Sequence, residues 1–117
     1  MIKQHKKTKL AVGTIRHLQE YVRGKIKERG FEDETLHERL LLLTEELGEM
    51  VHACRKISGM NVDQHREITN KAGEEVADVL NMVFAVGIEL GLDIEHEFFE
   101  KEKKIDKRVY KRSSNSS

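Results

Sequence analysis

The sequence predicts an all-α protein, an antiparallel four-helix bundle. Three observations carry that prediction. Apolar residues recur at three- and four-residue spacing along four stretches, and no stretch alternates with the two-residue period of a strand. No proline interrupts any of them. The connections between them are short and carry glycine, as joins antiparallel neighbours. At 117 residues the chain suits one domain with a core of its own.

The first helix is predicted over 14–29, with Ile15, Leu18, Val22 and Ile26 on one face and Gly30 as its stop. The second is predicted over 36–57. Thr35 and Glu38 match a capping box at its start, and Gly59 closes it. Its main stripe reads Leu36, Leu40, Leu43, Leu47, Met50, Val51 and Cys54. The third is predicted over 64–90, behind an Asp63 cap and before Gly91, with Gly73 weakening its first half. Its stripe reads Ile68, Ala72, Val76, Val79, Val83, Val86 and Leu90. The fourth follows Asp93 and carries Ile94, Phe98, Ile105 and Val109. Residues 1–13 read as a basic arm, 14–110 as the helical domain and 111–117 as a disordered tail.

Leu41 and Leu42 lie off the main stripe of the second helix, and Phe84 and Ile88 off that of the third. Helices that are apolar on more than one face sit centrally or in an interface, so a dimer at least is expected.

Composition excludes several classes. Lys and Arg number 21 and so do Asp and Glu, so no overall basic field argues for nucleic acid. The Leu40–Leu43 run is too short to span a bilayer. The basic start has no apolar segment of the kind a secretory signal needs. The single cysteine, Cys54, reads as a reduced, buried thiol, which suits a cytoplasmic protein.

Two acidic pairs stand inside the apolar runs. Glu46 and Glu49 share one face of the second helix, on the flank of Leu42 and Ala53. Glu75 and Asp78 share one face of the third, beside Ile68, Val79 and Met82. Antiparallel packing lets both pairs face one cleft. Four carboxylates there need shared protons or a hard cation, because an unpaired buried charge costs several kcal/mol. Mg²⁺ takes few protein oxygens and completes its shell with water and substrate phosphate. The pattern therefore reads as a Mg²⁺ site for a phosphorylated substrate. Solvated helix charges paired with Lys and Arg are the alternative.

The two motifs, LLLTEELGEM at 41–50 and AGEEVADVL at 72–80, resemble the signature of the MazG-like all-α nucleoside triphosphate pyrophosphohydrolases. That signature is E-E-x-x-E, a spacer, then E-x-x-D. Glu45, Glu46, Glu49, Glu75 and Asp78 match it, and the likeness covers roughly residues 14–110. The resemblance implies the helical fold of that family and cleavage of a nucleoside triphosphate to monophosphate and pyrophosphate. It implies Mg²⁺, with Mn²⁺ as a substitute, held by Glu46, Glu49, Glu75 and Asp78. It implies a homodimer or a tetramer of two dimers, and a house-cleaning role in the nucleotide pool. Glu45 points away from the pair on an ideal helix.

The segment KKIDKRVY at 103–110 resembles the family's basic C-terminal segment, which makes Lys104, Lys107 and Arg108 candidate phosphate contacts. Solvated charge at a helix C-terminus is the plainer reading of the three. Asp106 stands where the family often has Asn and would repel phosphate, so it stays outside the site. Tyr21 and Phe31 are candidate base-stacking residues in a chain without Trp, although aromatics at such positions also build cores. Asn81, one turn past Asp78, is a candidate substrate contact or an interface residue.

Rival readings remain. A di-iron site draws on Glu-x-x-His, which Glu49 and His52 match and Glu34 and His37 match at the helix start. Phosphoribosyl-ATP pyrophosphohydrolase uses a similar acidic bundle. A non-catalytic dimerisation or regulatory module keeps the fold without the chemistry.

Overall fold

The structure is a computed structural model that describes residues 11–57 and 62–115. It is all-helical: α1 Thr14–Glu28, α2 Leu36–Arg55, α3 Val62–Glu89 and α4 Ile94–Asn115, with no strand among the described residues. Residues 1–10 of the expected arm, the Gly59 stop, the Asp63 side chain and the Val109 side chain lie outside what is described.

Local chemistry sets the helix ends. Gly30 and Gly91 have φ of 78° and 71°, which only glycine adopts at little cost. At each, two amide N–H groups turn back onto the preceding helix. Phe31 N donates to Ile26 O at 2.9 Å and Gly30 N to Lys27 O at 3.1 Å. Leu92 N donates to Gly87 O and Gly91 N to Ile88 O, both at 3.0 Å. At the start of α2, Glu38 N donates to Thr35 Oγ1 at 3.1 Å. The Glu38 carboxylate accepts from the Thr35 hydroxyl at 3.2 Å, so the capping box closes through side chains. No glycine or proline follows Gly91, and α4 continues through Asn115, five residues past the expected boundary.

α2 and α3 are antiparallel and form the most extensive helix pair. Arg39 meets Ala85 and Glu89, Glu46 meets Glu75 and Asp78, and Ala53 lies with Ile68 and Lys71. α1 packs on α3, with Val22 buried and Ile15, Leu18 and Ile26 half-buried as expected. α4 packs mainly against α1, and the four helices are consistent with the expected all-α bundle.

The expected stripes hold in part, with Ala72 buried and Leu36, Leu43, Met50, Ile68, Val79, Val86 and Ile94 half-buried, and the rest is corrected by this arrangement. The buried residues of α2 are Arg39 and Ala53, not the leucine row. Leu40, Leu47 and Val51 are exposed, and so are Val76, Leu80, Val83 and Leu90 of α3 and Phe98 and Ile105 of α4. Cys54 continues the exposed α2 row and is a free, exposed thiol, not a buried one. The buried hydrophobic residues of α2 and α3 are Ala53, Ala72, Phe84 and Ala85, and the larger exposed rows are left uncovered within one chain.

Three polar side chains fix α1 to the α3–α4 corner. Glu95 is 1% exposed. Its Oε1 accepts from Gly13 N at 2.8 Å and Arg16 N at 3.3 Å, and so caps the N-terminus of α1 from another helix. Arg16 pairs with Glu95 at 3.4 Å and Asp93 at 3.1 Å. Buried Gln19 donates to Leu92 O at 2.8 Å and accepts from Ile94 N at 2.9 Å. Gly87 makes the corner tight, since a Cβ there would stand 2.6 Å from Ile94 Cδ1.

Glu95→Ala should lower unfolding free energy by about 2–4 kcal/mol, because it strands two helix N–H groups and one partner of Arg16. Denaturant titration followed by circular dichroism checks this. An unchanged midpoint would show that the cap is not structural.

Candidate functional site

Glu46, on α2, and Glu75 and Asp78, on α3, each bring one carboxylate oxygen within 4.8 Å of the others. Their helices set the geometry. Glu75 and Asp78 are three residues apart on one face, and the antiparallel register places Glu46 opposite them. Glu46 and Glu75 are half-buried and Asp78 is exposed. One oxygen of each glutamate, Glu46 Oε2 and Glu75 Oε2, is buried without a hydrogen-bond partner.

The electrostatics follow from that crowding. Burial raises the Glu46 carboxyl above its ordinary value of 4.5, and the charges of Glu49, Asp78, Glu75 and Glu45 raise it further. Burial also raises Glu75, followed by the charge of Glu49, a hydrogen bond with Glu49 and the charge of Asp78, while Lys71 opposes. Without a cation, this cluster carries unrelieved repulsion among its charges.

With a cation it need not. Opposite ligands of an octahedral Mg²⁺ stand roughly 4 Å apart and adjacent ones closer, so oxygens already within 4.8 Å need only small inward shifts. The donors are all oxygen, which suits Mg²⁺ or Mn²⁺. The two orphaned oxygens supply the observation that favours a ligand, since buried acceptors are otherwise paired. No histidine belongs to the group, so the di-iron pattern is not assembled among the described residues. His52 is exposed nearby.

Two cavities meet at this cluster. One, of about 510 Å³, is lined by Glu46, Asp78 and Asn81, with Phe31, Lys25 and Arg29. The other, of about 750 Å³, is lined by Glu49 and Glu75, with Glu45, His52, Lys56 and Lys71.

The site residues expected from the sequence thus separate. Glu46, Glu75 and Asp78 come together, and Asn81 and Phe31 open onto the same cavity as Glu46 and Asp78. Glu49 touches Glu75 but contributes no oxygen to the three-atom group. Tyr21 lies outside both cavities, exposed, with the Lys25 ammonium 5.6 Å from its ring centre. Lys104, Lys107 and Arg108 are exposed on α4 and line neither cavity, because α4 leaves the α2–α3 pair within the chain. The cations that do line the cavities are Lys25, Arg29, Lys56 and Lys71. Sequence reading missed them. The available signal was the position of Lys25, Arg29 and Lys56 at or near helix C-termini, while Lys71 stands four residues before Glu75 on α3.

No family model matches the chain, and no curated protein matches it closely enough to count as a relative.

The raised carboxyls make a signed prediction for metal-free protein. Glu75 binds its proton more tightly folded than unfolded. Its favourable contribution is therefore full below about pH 4.5 and is lost as pH rises through the folded value. In chelator, Glu75→Gln should match the parent at acid pH and become the more stable protein towards neutrality. Thermal melts over about pH 4 to 8 measure the gap. Equal melting temperatures throughout would show that the cluster carries no repulsion.

Proposed function

We propose that this chain hydrolyses a nucleoside triphosphate, NTP or dNTP, to the monophosphate and pyrophosphate in a Mg²⁺-dependent reaction. The observation that carries the reading is the three-oxygen group of Glu46, Glu75 and Asp78 at the mouth of two cavities. The likeness of the E-E-x-x-E and E-x-x-D motifs to the MazG-like pyrophosphohydrolases supports it.

Glu46, Glu75 and Asp78 would hold Mg²⁺, with Mn²⁺ as a substitute. When bound, the ion offsets charge on the triphosphate and on the departing pyrophosphate. Glu49 lies outside the group yet touches Glu75, so its carboxylate is placed to orient the attacking water and accept its proton. Phe31 and Asn81 line the cavity beside Glu46 and Asp78, which suits a nucleoside. Lys56 and Lys71 line the cavity beside Glu49 and Glu75, which suits the leaving pyrophosphate. Lys104, Lys107 and Arg108 would reach phosphate only across an interface with another copy.

The reading includes a homodimer or a tetramer of dimers. Exposed Leu40, Leu47 and Val51 of α2 and Val76, Leu80 and Val83 of α3 recur at helical spacing and form apolar rows. The radius of gyration is 18.7 Å, against about 13 Å for a compact domain of this length. A nucleotide substrate suits a cytoplasmic location, and no helix among the described residues is long and apolar enough to cross a membrane.

Incubation with Mg²⁺ and a panel of NTPs and dNTPs should yield monophosphate and pyrophosphate. Glu46→Gln and Asp78→Asn should each lower kcat by about 100-fold or more while keeping the helical circular dichroism. Diphosphate and orthophosphate as products would move the cleavage to another bond. Near-full activity in either variant would overturn the site.

Sedimentation equilibrium should give at least twice the 13.6 kDa chain mass. Leu80→Lys should shift the equilibrium towards monomer. A monomeric parent at micromolar concentration would remove the oligomer from the reading.

A further inference from the structure

Glu34 precedes Thr35, the N-cap of α2, and is half-buried. It lines the cavity of about 510 Å³ that Glu46 and Asp78 also line. Among the described residues its carboxylate forms no ion pair with Lys25 or Arg29, the two cations of that cavity. Lys25 is engaged elsewhere, with Glu28 at 3.0 Å and over the Tyr21 ring. A half-buried acceptor thus lines the cavity without an ion-pair partner among the described residues.

The cavity has a direction. Glu46 and Asp78 form one end. Buried Arg39 ties Phe31 O, at 3.4 Å, to Ala85 O, at 2.8 Å, and these residues line the other end. Glu34 N donates to Phe31 O at 3.2 Å, so Glu34 belongs to that far end. Ten residues of α2 separate Leu36 from Glu46, about 15 Å of helix. A nucleoside 5′-phosphate plus the reach of two glutamate side chains spans that length. Asn81, one turn from Asp78, lines the same cavity.

Resting on the nucleotide reading above, we propose that Glu34 reads the base and selects nucleotides that carry an exocyclic amino group, cytosine or adenine, over their keto counterparts. An ionised carboxylate only accepts hydrogen bonds. It pairs with the amino group of cytosine, as acidic side chains do in nucleic-acid recognition, and adenine presents the same kind of donor. Uracil and hypoxanthine place a carbonyl oxygen there instead. Two acceptors then face each other and both lose their solvent partners, which a built polar site rejects strongly. Phe31 supplies an aromatic surface, and Leu42 and Met82 supply apolar walls.

The test uses matched pairs, CTP with UTP and ATP with ITP, in the full chain with Mg²⁺. Ratios of kcat/KM are measured, and binding of non-hydrolysable α,β-methylene CTP and UTP is measured by calorimetry. The parent should favour the amino partner by about tenfold or more, and Glu34→Gln, whose amide also donates, should bring the ratio within about threefold. A parent ratio near one, a keto preference, or an unchanged ratio in Glu34→Gln overturns the assignment. A lower melting temperature in Glu34→Gln with the ratio intact would make Glu34 only a partner of the α2 dipole. Absent turnover with an amino preference in binding, lost in Glu34→Gln, would retain the base reading and remove the hydrolysis. Absence of binding by either analogue would remove both.

Discussion

The antiparallel register of α2 on α3 is the constraint on which the rest of the structure depends. Two features hold it. At one end Arg39, 2% exposed, donates to Ala85 O and pairs with Glu89 at 3.4 Å. Towards the other end Ala53 of α2 and Ala72 of α3 are buried. Slipping α2 by one residue would break the Arg39 contacts and bring larger side chains into a close-packed seam, where a misplaced methylene is already costly. With the register held, Glu46 has no freedom to avoid Glu75 and Asp78.

That enforced proximity gives the site its chemistry. Each carboxylate alone would be an ordinary solvated helix charge. Opposed across a seam, Glu46 and Glu75 have their proton affinity raised by burial and by the neighbouring charges, and one oxygen of each is buried without a donor. The fold thus stores a repulsion that a proton or a divalent cation relieves. The same register sorts the acids into two roles. Glu46, Glu75 and Asp78 bring carboxylate oxygens together, while Glu49 stands beside the group, next to Glu75.

The corner made by Glu95, Arg16, Gln19 and Gly87 has a different task. It anchors the N-terminal end of α1, and α1 supplies Lys25 and Arg29 to the cavity on the Glu46 and Asp78 side. Buried polar groups are costly unless paired. Here the bonds of Glu95 and Gln19 satisfy a helix N-terminus and an interhelical turn that would otherwise be stranded. The position of the cavity wall is therefore linked to polar contacts at the other end of α1.

Much of this protein was determined by its sequence alone. The four helices, the glycine stops at Gly30 and Gly91, the Thr35 cap and the acidic pairs all follow from local rules, because periodicity, capping and φ preference act within a few residues. The Glu46 and Glu75 flanks were legible for the same reason. Which row of each helix is buried was decided only in the tertiary structure. Hydrophobicity favours the leucine row of α2, yet within one chain Leu40 and Leu47 are exposed and the buried α2 positions are Arg39 and Ala53. The cap of α1 by Glu95 joins groups 82 residues apart, and no local pattern marks such a pair. Lys104, Lys107 and Arg108 read as phosphate contacts from their motif, but the direction in which α4 leaves the corner decides what they reach. Contacts between distant segments depend on how whole helices dock, and that depends on shape complementarity summed over a surface rather than on any short run of residues.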